Sequence, residues 1–143
     1  MSRRGFTLIE LLTAMVLLAV LAAISLKIVD ARAQAYLAVL ESDLKNLAVA
    51  QEAYYVESAD RLGGARYAPN MEHIEFNPSP FVQMTMVGIE TGWTARAQHK
   101  LRTDFRCAVY MGDIKAIIKP YEPAITEGVI ECEPKRRGKG KGK

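Results

Sequence analysis

The chain begins with a long apolar stretch that is interrupted by a single charge. Residues 11–26 carry no charged side chain, and Glu10 is the lone acid before them. A helix from Phe6 to Leu26 would be roughly 31 Å long at about 1.5 Å per residue, which matches the hydrocarbon thickness of a bilayer. A cleaved secretory signal has a shorter apolar core, so the pattern favours a transmembrane helix over residues 6–26.

Residues 27–58 continue as a helix with one apolar face. No Gly or Pro occurs between Phe6 and Leu62. Apolar positions recur at spacings of three and four, and one polar step interrupts them. The stripe consists of Leu37, Leu40, Leu44, Leu47, Gln51 and Tyr54. One helix from Phe6 to about Glu57 would be roughly 78 Å long, so its second half needs a sheet to lie on.

Residues 59–134 show the pattern of a small globular head. Turn residues mark 59–80 as a connector, and alternating stretches then predict strands. The predicted strands are Gln83–Ile89, Trp93–His99, Phe105–Met111 and a short last one, Val129–Glu133. We predict an α+β fold, in which three or four antiparallel strands with one apolar face cover the amphipathic half of the helix.

Charge is concentrated at the two ends of the chain. The net charge is +3, yet residues 135–143 hold six basic residues and no acid. We expect a flexible cationic tail that could touch DNA, an anionic surface or acidic patches on neighbouring subunits, with simple solubility as the alternative. Arg3 and Arg4 favour a cytoplasmic N-terminus, with the rest of the chain facing the exterior or the periplasm.

The head contains Cys107 and Cys132. Outside the cytoplasm they can oxidise, and the bond would close a loop of about 25 residues, worth roughly 3–4 kcal/mol. Two unpaired thiols are the alternative. His73 lies between Glu72 and Glu75, where a solvated loop is more plausible than a metal site. His99 fits a strand residue. No cofactor, metal site or catalytic residue is predicted, and the chain is not expected to be an enzyme.

Glu10 is costly inside an apolar span unless it finds a partner. It could be an acid at the helix start, helped by the helix dipole. It could also accept a cation from another molecule: cutting the chain after Gly5 would create an amine on Phe6. A helix shifted along the axis of its neighbour can bring that amine to Glu10, so the sequence suggests staggered self-assembly.

The segment Arg3-Arg4-Gly5-Phe6-Thr7-Leu8-Ile9-Glu10-Leu11 resembles the class III signal of type IV prepilins and pseudopilins. The resemblance implies a five-residue leader, residues 1–5, cleavage between Gly5 and Phe6 by prepilin peptidase, and N-methylation of Phe6. It implies that Glu10 guides docking during assembly. Two positions depart from many members of the family, because Ala19 replaces a Gly and Lys27 replaces a Pro.

The resemblance further implies a life cycle. The prepilin would sit in the bacterial inner membrane, contact lipid and the assembly platform, and form a homo-oligomeric helical pilus on the cell surface for adhesion, motility or uptake. In pilins a disulfide such as Cys107–Cys132 bounds a variable loop. The alternatives are a pseudopilin of a type II secretion system and a competence pilin that binds DNA through its basic tail.

Overall fold

The computed structural model describes residues 7–115 and 118–133, without the side chains of residues 26–30 and 62. The chain divides into two compact units, residues 1–35 and 36–143. The predicted α+β fold is confirmed. A long N-terminal helix is followed by a short 3₁₀ helix, Met71–Ile74, and a four-stranded antiparallel sheet. The elements are α1 (Leu8–Leu62), β1 (Val82–Ile89), β2 (Gly92–His99), β3 (Arg102–Gly112) and β4 (Glu131–Glu133).

In the second unit, α1 buries one stripe of side chains. The predicted leucines are nearly or completely buried, namely Leu37, Leu40, Leu44 and Leu47. Gln51 is also fully buried, whereas Tyr54 stays half-buried. The helix extends beyond Glu57 to Leu62 and stops where Gly63 adopts a positive φ of 69°. A glycine just past the last turn is a common helix stop, because only glycine takes this conformation without steric cost.

The four strands follow the order β1-β2-β3-β4. Their bounds differ from the predicted ones at the turns. β3 begins at Arg102, three residues early, because Arg102 pairs with His99 across the β2–β3 hairpin. β4 excludes Val129, whose N–H donates to the carbonyl of Thr126 in a turn.

One face of the sheet packs against the second half of α1. The ring of Tyr36 lies 4.4 Å from that of His99 and 5.6 Å from that of Phe105, centroid to centroid. Further along the helix, the Gln51 Nε2 lies 2.9 Å from the sulfur of Met86 on β1. This arrangement agrees with the predicted role of the amphipathic half.

The other face of the sheet is also covered, which the sequence pattern did not predict. The long connection from β3 to β4 folds back over it and forms a second core around Ala108, Tyr110, Ile114 and Ala124. The N–H of Tyr121 donates to Thr94 Oγ1 at 3.0 Å. β3 therefore buries successive residues instead of alternate ones, as expected for a strand covered on both faces.

The connector is held tightly between α1 and the sheet at Ala68. Gln51 donates to the Ala68 carbonyl at 3.1 Å and accepts from its N–H at 2.9 Å. On the other side, the N–H of Gly88 donates to the carbonyl of Pro69 at 2.9 Å. A Cβ on Gly88 would lie 2.0 Å from the Ala68 carbonyl oxygen. Only a glycine allows this close approach of two backbones.

Candidate processing and assembly site

The first turn of α1 is closed by Thr7 and Glu10. The backbone N–H and the hydroxyl of Thr7 each donate to Glu10 Oε2 at 2.8 Å. In return, the N–H of Glu10 donates to the Thr7 hydroxyl oxygen at 3.4 Å. This reciprocal pattern is a capping box, which satisfies backbone N–H groups that lack partners at a helix start. The helix consequently begins directly after Thr7.

Glu10 is exposed and therefore open to other molecules. Thr7 fixes the orientation of its carboxylate through Oε2, while Oε1 accepts no hydrogen bond from any residue that the structure describes. Sequence reasoning named Glu10 and missed Thr7. The signal was present, because a Thr followed by a Glu three residues later at the start of an apolar run is the capping-box pattern.

The apolar span follows immediately and is fully open to its surroundings. The helix Leu8–Ser25 is long and apolar enough to cross a membrane, a test that a signal sequence also passes, and none of it is buried. Leu8 is 82% exposed, and most of the large side chains up to Ile24 are more than half exposed. At about 1.5 Å per residue these 18 residues span about 27 Å.

The hydroxyl groups within this span are satisfied by the helix itself. Thr13 donates to the carbonyl of Glu10 at 3.0 Å, and Ser25 donates to that of Leu21 at 2.8 Å. A hydroxyl bonded in this way does not need water or a partner helix. The span therefore presents an almost purely apolar surface after its first turn.

The side chains of three residues named from the sequence lie outside the described part of the structure. Gly5 and Phe6 lie outside the described residues, so cleavage between them and methylation of Phe6 stay predictions. Lys27 lies in the helix, among the residues whose side chains are not described. The basic tail, residues 135–143, is also outside the described part of the chain.

The C-terminal segment is fastened to the edge of the sheet. Cys107 on β3 and Cys132 on β4 are directly opposite each other in the strand register and form a disulfide. Next to the disulfide, Arg106 donates to the Glu133 carboxylate at 2.6 Å. The disulfide that the sequence suggested is present, and the short β4 is held by both covalent and ionic contacts.

The titratable groups of the head serve structural contacts. The Tyr67 hydroxyl donates to Glu52 Oε1 at 3.1 Å, and burial together with this carboxylate raises the pKa of Tyr67 to about 12. His73 is exposed in the 3₁₀ helix, with Nδ1 2.6 Å from Asn70 Oδ1. Among the described residues, no three His, Cys, Asp or Glu side chains come together as a metal site would require.

Comparison with known proteins identifies only the N-terminal segment of the chain. Residues 1–26 match the family described as the prokaryotic N-terminal methylation motif. Neither the curated proteins nor the solved structures give a match to this chain. The matched segment is the class III signal peptide of type IV pilins and pseudopilins.

The fold and the motif together define a class of protein. An exposed apolar helix that continues into the amphipathic helix of an α+β head fits a membrane-anchored precursor. The methylation motif is the one found in precursors of type IV pilins and pseudopilins, and it indicates a structural protein. It also implies processing by prepilin peptidase and assembly into filaments.

Proposed function

We propose that the protein is the structural subunit of a type IV pilus. Prepilin peptidase cleaves between Gly5 and Phe6, the new N-terminus is methylated, and the mature chain assembles into a helical surface filament for adhesion, motility or uptake. The observation that carries the proposal is the methylation motif joined to an apolar helix, Leu8–Ser25, of which nothing is buried.

The exposed span requires a partner in every environment that the protein meets. Burying one large aliphatic side chain is worth about 1.5–3 kcal/mol, so an uncovered span in water would be strongly unfavourable. Lipid covers it in the inner membrane before assembly. In a filament outside the membrane, the spans of other copies are the surfaces of matching length and chemistry. The span therefore supports self-assembly through residues 6–26.

The capping box gives Glu10 a defined orientation for this assembly. A carboxylate that moves into a bundle of apolar helices needs a compensating cation. The amine of Phe6 on an adjacent, axially shifted subunit would supply one. Thr7 holds Oε2 from within the same helix, and Oε1 would accept from the incoming amine. Glu10 is then an assembly residue, and Thr7 a positioning residue for it.

The mass of the mature N-terminus tests the processing. Intact-protein and peptide mass spectrometry of chains from the native cell should find a methylated Phe6 as the first residue. A chain that retains Met1, or one that is cut near Ala23, would contradict the proposal. Gly5 and Phe6 would then have no role as processing residues.

Substitution of Glu10 tests the assembly role. Glu10→Gln should leave membrane insertion unchanged and sharply reduce surface filaments, because an amide keeps hydrogen bonding but does not compensate an ammonium charge. Thr7→Ser, which retains the capping hydroxyl, is the matched control and should assemble normally. Insertion is measured by membrane fractionation, and filaments by electron microscopy of the cell surface. Normal filaments with Glu10→Gln would refute the amine–carboxylate pairing.

The pseudopilin alternative shares the motif and predicts a different assembly. A pseudopilin would build a short periplasmic structure for secretion. Electron microscopy of cells with and without this protein distinguishes the two, since surface filaments should disappear with the protein if it is a major pilus subunit. Unchanged filaments together with a secretion defect would support the pseudopilin. DNA binding by the basic tail would instead favour a competence pilin.

A further inference from the structure

One end of the sheet exposes two large apolar side chains. Phe81 directly precedes β1, and Leu101 lies in the turn between β2 and β3. The N–H of Lys100, next to Leu101, donates to the carbonyl of Phe81 at 2.7 Å, so the two side chains belong to the same end of the sheet. Phe81 is 57% exposed and Leu101 is 69% exposed. These two residues and Lys100 form a surface that we call the Phe81 patch.

The backbone of Phe81 indicates that its ring serves more than the fold. Its φ of 66° lies in the left-handed region, which bulky residues rarely adopt and which Gly or Asn adopts at lower cost. The ring stacks on that of His99, with the centroids 6.5 Å apart, yet it stays more than half exposed. A strained backbone that carries an exposed aromatic side chain points to a function of that side chain.

The patch lies at the end of the sheet where the helix enters the head. Tyr36 is the first residue of the second unit, and its ring lies 4.4 Å from that of His99, centroid to centroid. The apolar helix segment ends at Ser25, eleven positions earlier. Even a fully extended chain of that length spans at most about 40 Å. A membrane that holds the apolar segment therefore keeps this end of the sheet within reach of its surface.

The charges around the patch favour an anionic surface. Lys100 is exposed and forms no ion pair with any residue that the structure describes. Arg102 is already paired with Asp104, with Nη2 2.8 Å from Oδ2. Asp43 accepts from the N–H of Ser79 but is only 4% exposed, so its carboxylate does not reach the surface. Lys100 is thus an uncompensated cation, worth about fivefold in binding to an anionic bilayer.

We propose that the Phe81 patch docks the head on the anionic phospholipid bilayer that holds the apolar helix. Phe81 and Leu101 enter the boundary between headgroups and acyl chains, while Lys100 extends its ammonium group to the lipid phosphates. Complete burial of one such apolar side chain is worth about 10- to 150-fold in an equilibrium constant. Since more than half of each side chain is still exposed, covering both should favour the docked head at least about tenfold.

This contact belongs to the anchored chain and goes beyond the proposed pilus function. It gives the head one preferred orientation on the membrane before any assembly, and it must break when the chain leaves the bilayer. The contact requires no filament. It can therefore be tested in the same way whether the protein is a pilin or a pseudopilin.

Fluorescence quenching by lipids tests the docking. The full chain is reconstituted in phosphatidylcholine vesicles that contain phosphatidylglycerol, with a fluorophore attached at Thr103→Cys, two residues after Leu101. The native cysteines form a disulfide and do not react with the label. Glu90→Cys, in the turn between β1 and β2 at the opposite end of the sheet, carries the control label. Lipids with a nitroxide near the headgroup should quench the label at position 103 several-fold more than the label at position 90.

Matched variants identify the groups that dock. Phe81→Asn combined with Leu101→Ser should reduce the quenching beside the patch to the level of the control label. Asn adopts the backbone conformation of Phe81 readily, so this variant should keep the fold. Val56→Ser combined with Ile125→Ser removes two side chains that are 67% and 73% exposed elsewhere on the head, and it should leave the quenching unchanged. Unchanged fluorescence of the buried Trp93 verifies that each variant is folded.

The lipid composition tests the role of Lys100. In vesicles of phosphatidylcholine alone, the ratio of docked to free heads should fall about fivefold. Lys100→Gln in the anionic vesicles should cause a similar fall. Equal docking in the two kinds of vesicle would refute the attraction to anionic lipid.

The docking itself fails if the two labels are quenched equally on the wild-type chain. It also fails if the folded variant of Phe81 and Leu101 is quenched as strongly as the wild type. Self-quenching that rises with the number of chains per vesicle, with no effect of the nitroxide lipids, would mean that a second copy of the chain covers the patch instead of lipid.

Discussion

Replacing Gln51 should destabilise the head far more than a polar-to-apolar change on a helix usually does. Gln51 is fully buried and bonds both the N–H and the carbonyl of Ala68, at 2.9 Å and 3.1 Å. Gln51→Met keeps the length and approximate volume of the side chain, so it opens little cavity. It removes both partners of a buried peptide unit, however. A buried backbone group without a partner costs about 1–3 kcal/mol.

The two unsatisfied groups together predict a loss of about 2–6 kcal/mol in the free energy of unfolding. Urea denaturation of the full chain in a nonionic detergent measures it. Trp93 is the single tryptophan and is fully buried, so its fluorescence reports unfolding of the head. With a slope of about 1–2 kcal/mol per M of urea, the midpoint should fall by at least about 1 M.

Gln34→Met is the matched control, because Gln34 is exposed on the same helix. It should shift the midpoint by less than the error of the measurement. Hydrogen exchange of the Ala68 amide gives a second readout, since this N–H should lose protection in Gln51→Met. A midpoint within error of the wild type, with the Ala68 amide still protected, would refute the reasoning.

Two other contacts of the head give further tests. Changing Cys107 and Cys132 together to Ala should cost about 3.5 kcal/mol in the same urea assay, from the entropy of the closed loop; no loss would mean that the reduced head is already constrained. The Tyr67 pKa of about 12 lies above the usual 10.0, so its contribution to stability is complete below pH 10 and is lost as the pH rises to 12. Tyr67→Phe should flatten the fall of unfolding free energy over this range, and equal slopes would contradict the assigned pKa.

The helical stripe was the part of the fold that the sequence predicted best. Leu37 to Leu47 follow a strict helical period, and no competing signal interrupts them until Gly63. A period read along the chain is local information, and it fixes which face of α1 is buried. The end of the helix was placed too early because residues 59–62 were assigned to the connector, whose first turn signal is Gly63-Gly64.

The contacts that determine the rest of the head are distant in sequence. Gln51 meets Ala68 across 17 residues, and Thr94 meets Tyr121 across 27. Contacts of this kind produce no periodic pattern in the sequence. Gln51 therefore looked like a polar interruption of the apolar stripe, and its buried contact with Ala68 could not be predicted. The second core on β3 was missed for the same reason, since the segment that covers it has no regular pattern of its own.

The candidate site could be predicted because its chemistry is contained in a short motif. Glu10 is conspicuous as a carboxylate in an apolar span, and Thr7 is recognisable by its spacing from Glu10. The groove that Glu41 and Glu133 line beside β4 could not be predicted, because these two residues are far apart in the sequence.

The position of the disulfide links oxidation of the cysteines to folding of the head, because the two strands must pair before the bond can form. Cys107 and Cys132 are register partners on β3 and β4, and the chain has no third cysteine to form a wrong pair. The sulfurs meet in this geometry when the last strand has found its place against the sheet. If the head is exported as proposed, the oxidised fraction in a cell extract measures the share of chains whose head has left the reducing cytoplasm and paired β4 with β3. A gel that separates reduced from oxidised chains would then measure the exported fraction of the protein.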